Sequence, residues 1–247
     1  MKFGLVLLLL TSISAIAADG QKNGVSVLTT DCVLAQVADG GGWGTRITLV
    51  NMDTVVASYR LWFRDDTGKS WPVSLNGGQA SNVWAGTIPV GGSVFLETPD
   101  TAHDTSQGWA YLETGQRVSG MGVFKADLGS HDAQAVVPLS NLLDSDFYMP
   151  FDNRVGYVTS IALVNGDASQ NAGVTLTFRN PDGTTLLVDR ITLNPLQHMA
   201  FATAQKYPSV DTKNGVIEFT VNGHGASALG LLFTNHQSFT SVHALSN

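Results

Sequence analysis

An internal repeat constrains this chain of 247 residues more than any other feature. Residues 42–53 align without gaps on residues 156–167, and seven of the twelve aligned positions are identical. Two further matches follow in the same order in both halves, namely 61–68 with 176–183 and 136–140 with 242–246. Matches that keep their order along the chain indicate duplication of a whole folding unit. We therefore expect two homologous modules of about 100 residues each, an ordinary size for one domain.

The offset between matching residues reveals one difference between the two modules. It is 115 for the second match and 106 for the third, so the first module carries about nine extra residues, which we place at 75–86. The segment 141–146 that joins the modules is short. This favours modules that pack side by side.

Apolar and polar residues alternate inside both modules. Tyr59, Leu61 and Phe63 form one such row, and residues 174–178 repeat it. Alternation with turn residues about every 8–12 positions is typical of antiparallel strands. The predicted fold is all-β, with two tandem homologous antiparallel β-sandwich modules after a cleaved signal peptide; only 132–137 and 202–207 resemble short helices. The expected boundaries are a signal peptide at 1–17, an N-terminal extension with a short strand at 18–31, the first module at 32–140, a linker at 141–146 and the second module at 147–247.

The N-terminus has the pattern of a secretory signal. Lys2 precedes the apolar run 4–10, and the sequence Ala15-Ile16-Ala17 supplies small residues for cleavage before Ala18. A retained membrane anchor is the alternative, but the apolar run is shorter than the roughly 20 residues that a spanning helix needs. We expect a mature chain outside the cytoplasm, secreted or at the cell surface, without a membrane span.

The start of the mature chain leaves two questions open. Residues 24–28 are β-prone but lie outside the repeat, so they either complete the first sheet or pair with an edge of a neighbouring chain. Cys32 is the single cysteine. It is either a small buried hydrophobe or the site of a disulfide with a partner chain.

Composition and motifs argue against several functions. The formal net charge is −7 and the basic residues are scattered, which disfavours nucleic acid as a partner. No Cys-x-x-Cys, His-x-x-x-His or Gly-x-Ser-x-Gly sequence occurs, and the glycines at 40–42 lack the Gly-Lys-Ser/Thr of a phosphate loop. Asp65, Asp66 and Asp182 lie at predicted hairpin tips, where solvated carboxylates are expected rather than calcium ligands. We expect no metal, no cofactor and no enzymatic activity; a triad assembled from distant strands is the remaining route to catalysis.

The tryptophans supply the candidate binding site, because all five lie in the first module. Tyr59, Leu61 and Phe63 take the core side of their strand, so Trp62 is expected to point outward between Arg60 and Arg64. Comparison with the second module places Trp109 and Tyr111 on the same outward face. Such aromatic rings stack on sugars or anchor a protein partner. The alternative is that the second module or the insertion covers them.

Several segments resemble a known group of proteins. They are the Ala-Asp-Gly-Gly-Gly-Trp sequence at 38–43, the duplicated Thr-x-Ile-x-Leu-Val-Asn strand, the Phe-Arg-x-x-x-Gly hairpin and residues 228–233. Together they resemble uncharacterised secreted tandem-repeat proteins of environmental bacteria. The resemblance implies two β-sandwich modules used outside the cytoplasm, and it implies no activity.

Two function classes follow. The first is a non-catalytic structural or adhesive protein that binds a protein partner or its own copies through sheet faces and edges. The second is a carbohydrate-binding module that uses the outward aromatics of the first module, with a glycan as ligand. A secreted hydrolase is retained only as a third possibility.

Overall fold

This computed structural model describes residues 32–127, 129, 132–142, 146–223, 225–235 and 238–246. The expected signal peptide, the N-terminal extension, His131, His224 and His236 lie outside these residues, as do residues 143–145 of the expected linker. The described chain is all-β with antiparallel sheets. Of the two segments that resembled helices, 202–207 contains the short helix α1 (Thr203–Lys206), whereas 132–137 is strand, so that second prediction is wrong.

The N-terminal half, residues 32–142, contains eight strands. They are β1 (Cys32–Asp39), β2 (Trp43–Asn51), β3 (Ala57–Asp65), β4 (Val83–Ile88), β5 (Ser93–Glu97), β6 (Ser106–Thr114), β7 (Val118–Asp127) and β8 (Asp132–Asn141). Their order is β4-β3-β6-β1-β8-β7-β2-β5. β8 pairs with β7 along 132–138 and with β1 along 139–141, so one strand joins two four-stranded layers.

The C-terminal half, residues 146–246, contains nine strands and two short helical turns. The strands are β9 (Phe147–Asp152), β10 (Tyr157–Asn165), β11 (Ala172–Arg179), β12 (Thr185–Leu193), β13 (His198–Ala202), β14 (Asn214–Asn222), β15 (Ala226–Thr234), β16 (Phe239–Val242) and β17 (Leu245–Ser246). A 3₁₀ turn at Pro208–Val210 follows α1. The two sheets have the orders β12-β11-β14-β9-β17 and β13-β10-β15-β16. Each strand of the C-terminal half has the same neighbours as its counterpart in the N-terminal half, and β16 and β17 together occupy the positions that β8 occupies there.

A buried asparagine explains why the strand Thr-x-Ile-x-Leu-Val-Asn recurs. In the N-terminal half, Asn51 Nδ2 donates to the carbonyls of Val55, Ile88 and Pro89 at 2.8, 3.0 and 3.1 Å. In the C-terminal half, Asn165 Nδ2 donates to the carbonyls of Gln170, Leu193 and Asn194 at 2.8, 3.2 and 3.0 Å. Each side-chain amide therefore connects the turn that follows its own strand with the end of another strand, β4 or β12.

The cores follow the predicted strand parity. Tyr59, Leu61 and Phe63 are buried on the inner side of β3, while Phe178 is buried at the matching position of β11. Cys32 is also buried, and its thiol donates to Asn141 Oδ1 at 3.2 Å. Of the two alternatives for this cysteine, the structure has the buried one.

The largest difference between the halves lies between β3 and β4. This connection spans 66–82, whereas the one between β11 and β12 spans only 180–184. Val73 and Leu75 from the longer connection are buried, and Trp84 Nε1 donates to the Val73 carbonyl at 2.9 Å. The extra residues predicted at 75–86 thus overlap a loop that adds apolar side chains to the N-terminal core.

The two halves pack directly against each other. The core of the N-terminal half includes four residues of the C-terminal half, namely Ala162, Val164, Leu229 and Phe239. A second core lies entirely within the C-terminal half and includes Phe147, Phe178 and Phe219. One sheet face of the C-terminal half is therefore buried by the N-terminal half.

Candidate binding surfaces

Trp62 and Tyr111 form the centre of the predicted aromatic site. They lie directly opposite each other on β3 and β6. Their ring planes are 8° from parallel, with the centroids 6.0 Å apart. Both side chains are half-buried, so each exposes part of a ring beside a polar group. This arrangement offers a small aromatic surface of the kind that stacks on another ring.

Polar groups flank this aromatic pair. Trp62 Nε1 donates to Glu113 Oε2 at 2.9 Å, and Arg60 Nη1 lies 3.2 Å from Glu113 Oε1. Arg64 Nη1 donates to Ser70 Oγ at 3.2 Å. Arg60 and Glu113 are exposed, so their ion pair contributes little to stability but leaves donors and acceptors available beside the rings.

Trp109 departs from the prediction. Strand parity does place it on the outer side of β6, yet only 1% of the residue is exposed. Its Nε1 donates to the Leu196 carbonyl of the C-terminal half at 2.9 Å. Of the alternatives for this residue, the structure has the covered one, because a turn of the C-terminal half that is 87 positions away in sequence closes over it.

An interaction between Asp66 and His198 stabilises the same contact. The His198 amide donates to the Asp66 carbonyl at 3.2 Å, and Nδ1 of the ring lies 2.8 Å from Asp66 Oδ1. Gln107 Nε2 donates to Asp66 Oδ2 at 3.0 Å. Gly68 approaches the same turn so closely that an added Cβ would lie 2.9 Å from the Leu196 carbonyl oxygen. The Asp66 tip, expected to be a solvated turn, is thus a docking element.

The environment of Asp66 favours its charged form. Partial burial raises the pKa of the carboxyl, but the hydrogen bond and attraction from His198 and the hydrogen bond from Gln107 outweigh burial. The net pKa of Asp66 lies below its ordinary value. An ionised carboxylate only accepts hydrogen bonds, so His198 Nδ1 carries a proton in this contact.

A cleft of about 290 Å³ lies between the halves beside this contact. Aromatic and aliphatic side chains form most of its wall, with Gln36, Thr105 and Gln107 on the polar side. The N-terminal half contributes Ala38 and Phe124, and the C-terminal half contributes Ala200 and Phe233.

The outer face of β5-β2-β7-β8, here named the open face, exposes a group of large apolar side chains beside the ion pair of Arg46 and Glu97. Its centre is a row across three strands, Phe95, Thr48 and Met121. Phe95 is 59% exposed and Met121 45% exposed, and Val50 and Val136 are exposed beside them. Large contiguous apolar patches on a protein surface mark interaction sites.

The edge beside the open face is protected. Asn76 covers the outer side of β5, where its Nδ2 donates to the Phe95 carbonyl at 2.9 Å and its Oδ1 accepts from the Glu97 amide at 2.9 Å. The Asn76 amide also donates to the Glu97 carbonyl at 2.8 Å. Because these backbone groups are occupied, the face of this sheet is more accessible to a partner than its β5 edge.

The C-terminal half has an apolar groove of about 390 Å³, here named the C-terminal groove. Residues from β9, β10, β14, β15 and the 180–184 turn line it, including Pro150, Asp152, Pro181, Gly215, Val216 and Leu232. Sequence reasoning missed both this groove and the open face. The signal that could have found the open face was one large apolar residue at an outer position of each of β2, β5 and β7, namely Val50, Phe95 and Met121.

No group of three or more His, Cys, Asp or Glu side chains among the described residues is placed to hold a metal ion. His103 is exposed and contacts Asp104 at 2.8 Å, whereas His198 is buried in the contact between the halves.

Among the described residues, no helix has the length and apolar content to cross a bilayer.

No protein-family model matches this chain, and no similar curated protein or solved structure was found.

Proposed function

We propose that this chain is a secreted, non-catalytic structural or adhesive protein built from two tandem homologous β-sandwich modules. It binds protein partners or its own copies through sheet surfaces. The observation that carries the proposal is the open face, on which Phe95 and Met121 are about half exposed and Val50 and Val136 are exposed beside them. An apolar surface of this kind is stabilised when another protein covers it.

The proposed duplication rests on more than sequence identity. The strand orders of the two halves agree, and Asn51 and Asn165 make equivalent sets of three hydrogen bonds. Thr45 Oγ1 and Thr159 Oγ1 also bond to matching backbone positions, Ala38 and Asp152. Buried polar contacts that recur at matching positions support an origin of the two halves by duplication.

Secretion is part of the proposal and depends on residues 1–17. Processing is tested by expressing the full-length gene and determining the N-terminal residue of the exported product. The proposal expects a start near Ala18 and recovery outside the cytoplasm. An unprocessed cytoplasmic product would contradict it.

The role of the open face is tested by light scattering of the purified chain over a range of concentrations. Met121→Glu places a charge in the centre of the face and is expected to abolish concentration-dependent association. Val188→Glu is the matched control, because Val188 is an exposed valine on β12, outside the open face and the C-terminal groove. Equal association of both variants would contradict the proposal.

Glycan binding is a second candidate function, favoured by the near-parallel Trp62 and Tyr111 rings beside Arg60, Glu113 and Arg64. Titration with a panel of oligosaccharides is expected to change tryptophan fluorescence, and Trp62→Ala is expected to remove the change. Tyr157→Ala, at an exposed aromatic of the C-terminal half, is the control. A panel without any response would contradict this function.

A further inference from the structure

The contact between the two halves suggests how separate copies of the chain meet. In this contact the outer face of β13-β10-β15-β16 covers a surface of the N-terminal half made of β1, the Asp66 turn and β6. If the halves are homologous, each should have both a face that docks and a surface that receives. One face and one receiving surface are used within the chain, which leaves the open face and the C-terminal groove.

We infer that copies of this chain associate head to tail, with the open face of one copy packed into the C-terminal groove of the next. This inference rests on the proposed tandem duplication and on binding through sheet faces. It goes further by naming the partner, a second copy, and the two different surfaces that meet.

The open face corresponds to the buried docking face residue by residue. The strand registers equate Val50 with Val164, because Val50 pairs with the first residue of β5 and Val164 pairs with the first residue of β13. They also equate Met121 with Leu229, because Met121 lies opposite Thr48 and Leu229 lies opposite Ala162, the counterpart of Thr48. Apolar residues thus recur at the centre of both faces, although only the C-terminal copies are covered.

The turn that docks on Trp109 also has an exposed counterpart. Leu196 has φ 59°, and Gly91 at the equivalent position has φ 66°. The Gln197 amide donates to the Asn194 carbonyl at 3.0 Å, and the Gly92 amide donates to the Pro89 carbonyl at 2.9 Å. The N-terminal turn therefore keeps the same backbone shape, but its Val90 is 56% exposed.

The C-terminal groove corresponds to the receiving surface of the N-terminal half. Val216 lies opposite Arg179 just as Trp109 lies opposite Arg64. Thr159 bonds to Asp152 in the groove just as Thr45 bonds to Ala38 in the cleft. The repeat alignment also equates Pro181 with Asp66. The C-terminal groove is thus equivalent to the surface of the N-terminal half that the C-terminal half covers.

Charge is complementary at one position. Ala38 and Phe233 both line the cleft between the halves. Their counterparts are Asp152 in the groove and Lys125 on the open face. The head-to-tail contact would therefore bring a lysine toward a carboxylate that Arg154 already contacts at 2.7 Å.

Because the two surfaces differ, an assembly of any length has a free open face at one end and a free C-terminal groove at the other. Such a heterologous contact produces an open chain unless its rotation closes a ring. An association of two identical faces would instead stop at a dimer.

Sedimentation velocity of the purified full chain tests the inference with two variants. The wild-type chain is expected to form a series of oligomers that lengthens with concentration. Met121→Glu on the face and Val216→Glu in the groove are each expected to be monomeric alone. An equimolar mixture of the two is expected to form dimers and nothing larger, because each dimer uses the one intact face and the one intact groove.

Alternative results separate this inference from the proposed function. If Met121→Glu abolishes association while Val216→Glu assembles like the wild type, the open face binds but head-to-tail association is wrong. If neither variant alters assembly, both the head-to-tail contact and the role of the open face are overturned. A wild-type chain that stays monomeric also overturns the inference. Phe95→Glu and Pro181→Glu replace the two variants if either original substitution prevents cooperative unfolding.

Discussion

The outer faces of two equivalent sheets differ in what surrounds them. In the C-terminal half, Ala162, Val164 and Leu229 are buried against the N-terminal half. In the N-terminal half, the equivalent face exposes Val50, Phe95 and Met121. The strands, turns and buried asparagines are nearly the same, so local structure does not decide the burial of these faces. The order of the halves decides it, because among the described residues only the C-terminal half has a neighbour packed on that face.

The same comparison applies to single residues. Trp62 and Trp109 lie on adjacent strands and on the same side of one sheet, yet Trp62 is half-buried and Trp109 is buried. The difference arises from the turn containing Leu196, which covers one ring and not the other. Whether a tryptophan on an outer sheet face can bind a ligand therefore depends on whether the other half of the chain covers it.

The largest expected effect tests the similarity of the two cores. Phe63→Ala and Phe178→Ala should each reduce the free energy of unfolding by about 3–5 kcal/mol, because each removes a fully buried ring. Urea denaturation monitored by circular dichroism measures both losses. A small loss for one variant alone would show that the two cores are not equivalent.

The next effect tests the contact between the halves. Trp109→Ala should cost about 3 kcal/mol, because it removes a buried ring and its hydrogen bond to Leu196. Val216→Ala at the equivalent position of the C-terminal half should cost about 1 kcal/mol, since no second half covers it. Thermal unfolding of both variants gives the comparison. Similar losses would mean that Trp109 contributes no more to the contact than the uncovered residue does.

A smaller effect should depend on pH. The pKa of Asp66 is lower in the folded chain than its ordinary 3.8, so its ionised form stabilises the fold above that value. Asp66→Asn should therefore be less stable than the wild type at pH 7, and the difference should shrink as the pH falls below 3.8 toward the folded pKa. Melting temperatures at pH 7 and pH 3 measure it.

The His198→Ala background is the control for that prediction. Without the imidazole, Asp66→Asn should change stability much less, because the main partner of the carboxylate is gone. An unchanged effect of Asp66→Asn in this background would show that the contact with His198 does not stabilise the carboxylate.

The smallest effect is expected at the aromatic pair. Trp62→Ala should cost less than about 1 kcal/mol, because the ring is only partly buried and its partner Glu113 is also paired with Arg60. Urea denaturation beside Phe63→Ala shows the contrast between neighbouring residues on opposite sides of β3. A loss close to that of Phe63→Ala would mean that the outer face contributes to stability as the core does.

Strand parity was predictable because it is local. The alternation at Tyr59, Leu61 and Phe63 correctly predicted which side chains enter the core, since successive residues of a strand point to opposite sides. The alternation in 132–137 was misread as a short helix, although residues 133, 135 and 137 are buried in strand order. A short apolar segment without turn residues is compatible with both structures, and here pairing with β7 decides for the strand.

The candidate site was only partly predictable. The outer placement of Trp62 and Tyr111 follows from parity, and both remain half-exposed beside Arg60 and Arg64. The coverage of Trp109 and the contact of Asp66 could not be decided from the sequence, because their partners, Leu196 and His198, come from the other half of the chain. No local sequence pattern predicts such a contact.

The sequence by itself determined the all-β class, the parity of the strands and the positions that recur in both halves. These properties depend on local backbone preference and on the two-residue period of a strand, which the order of residues records directly. Only the tertiary structure decided that one sheet face is buried while its counterpart is open, and that Trp109 is covered while Trp62 is not. Burial depends on which surfaces meet in space, and in this chain residues separated by 87 to 132 positions make that contact.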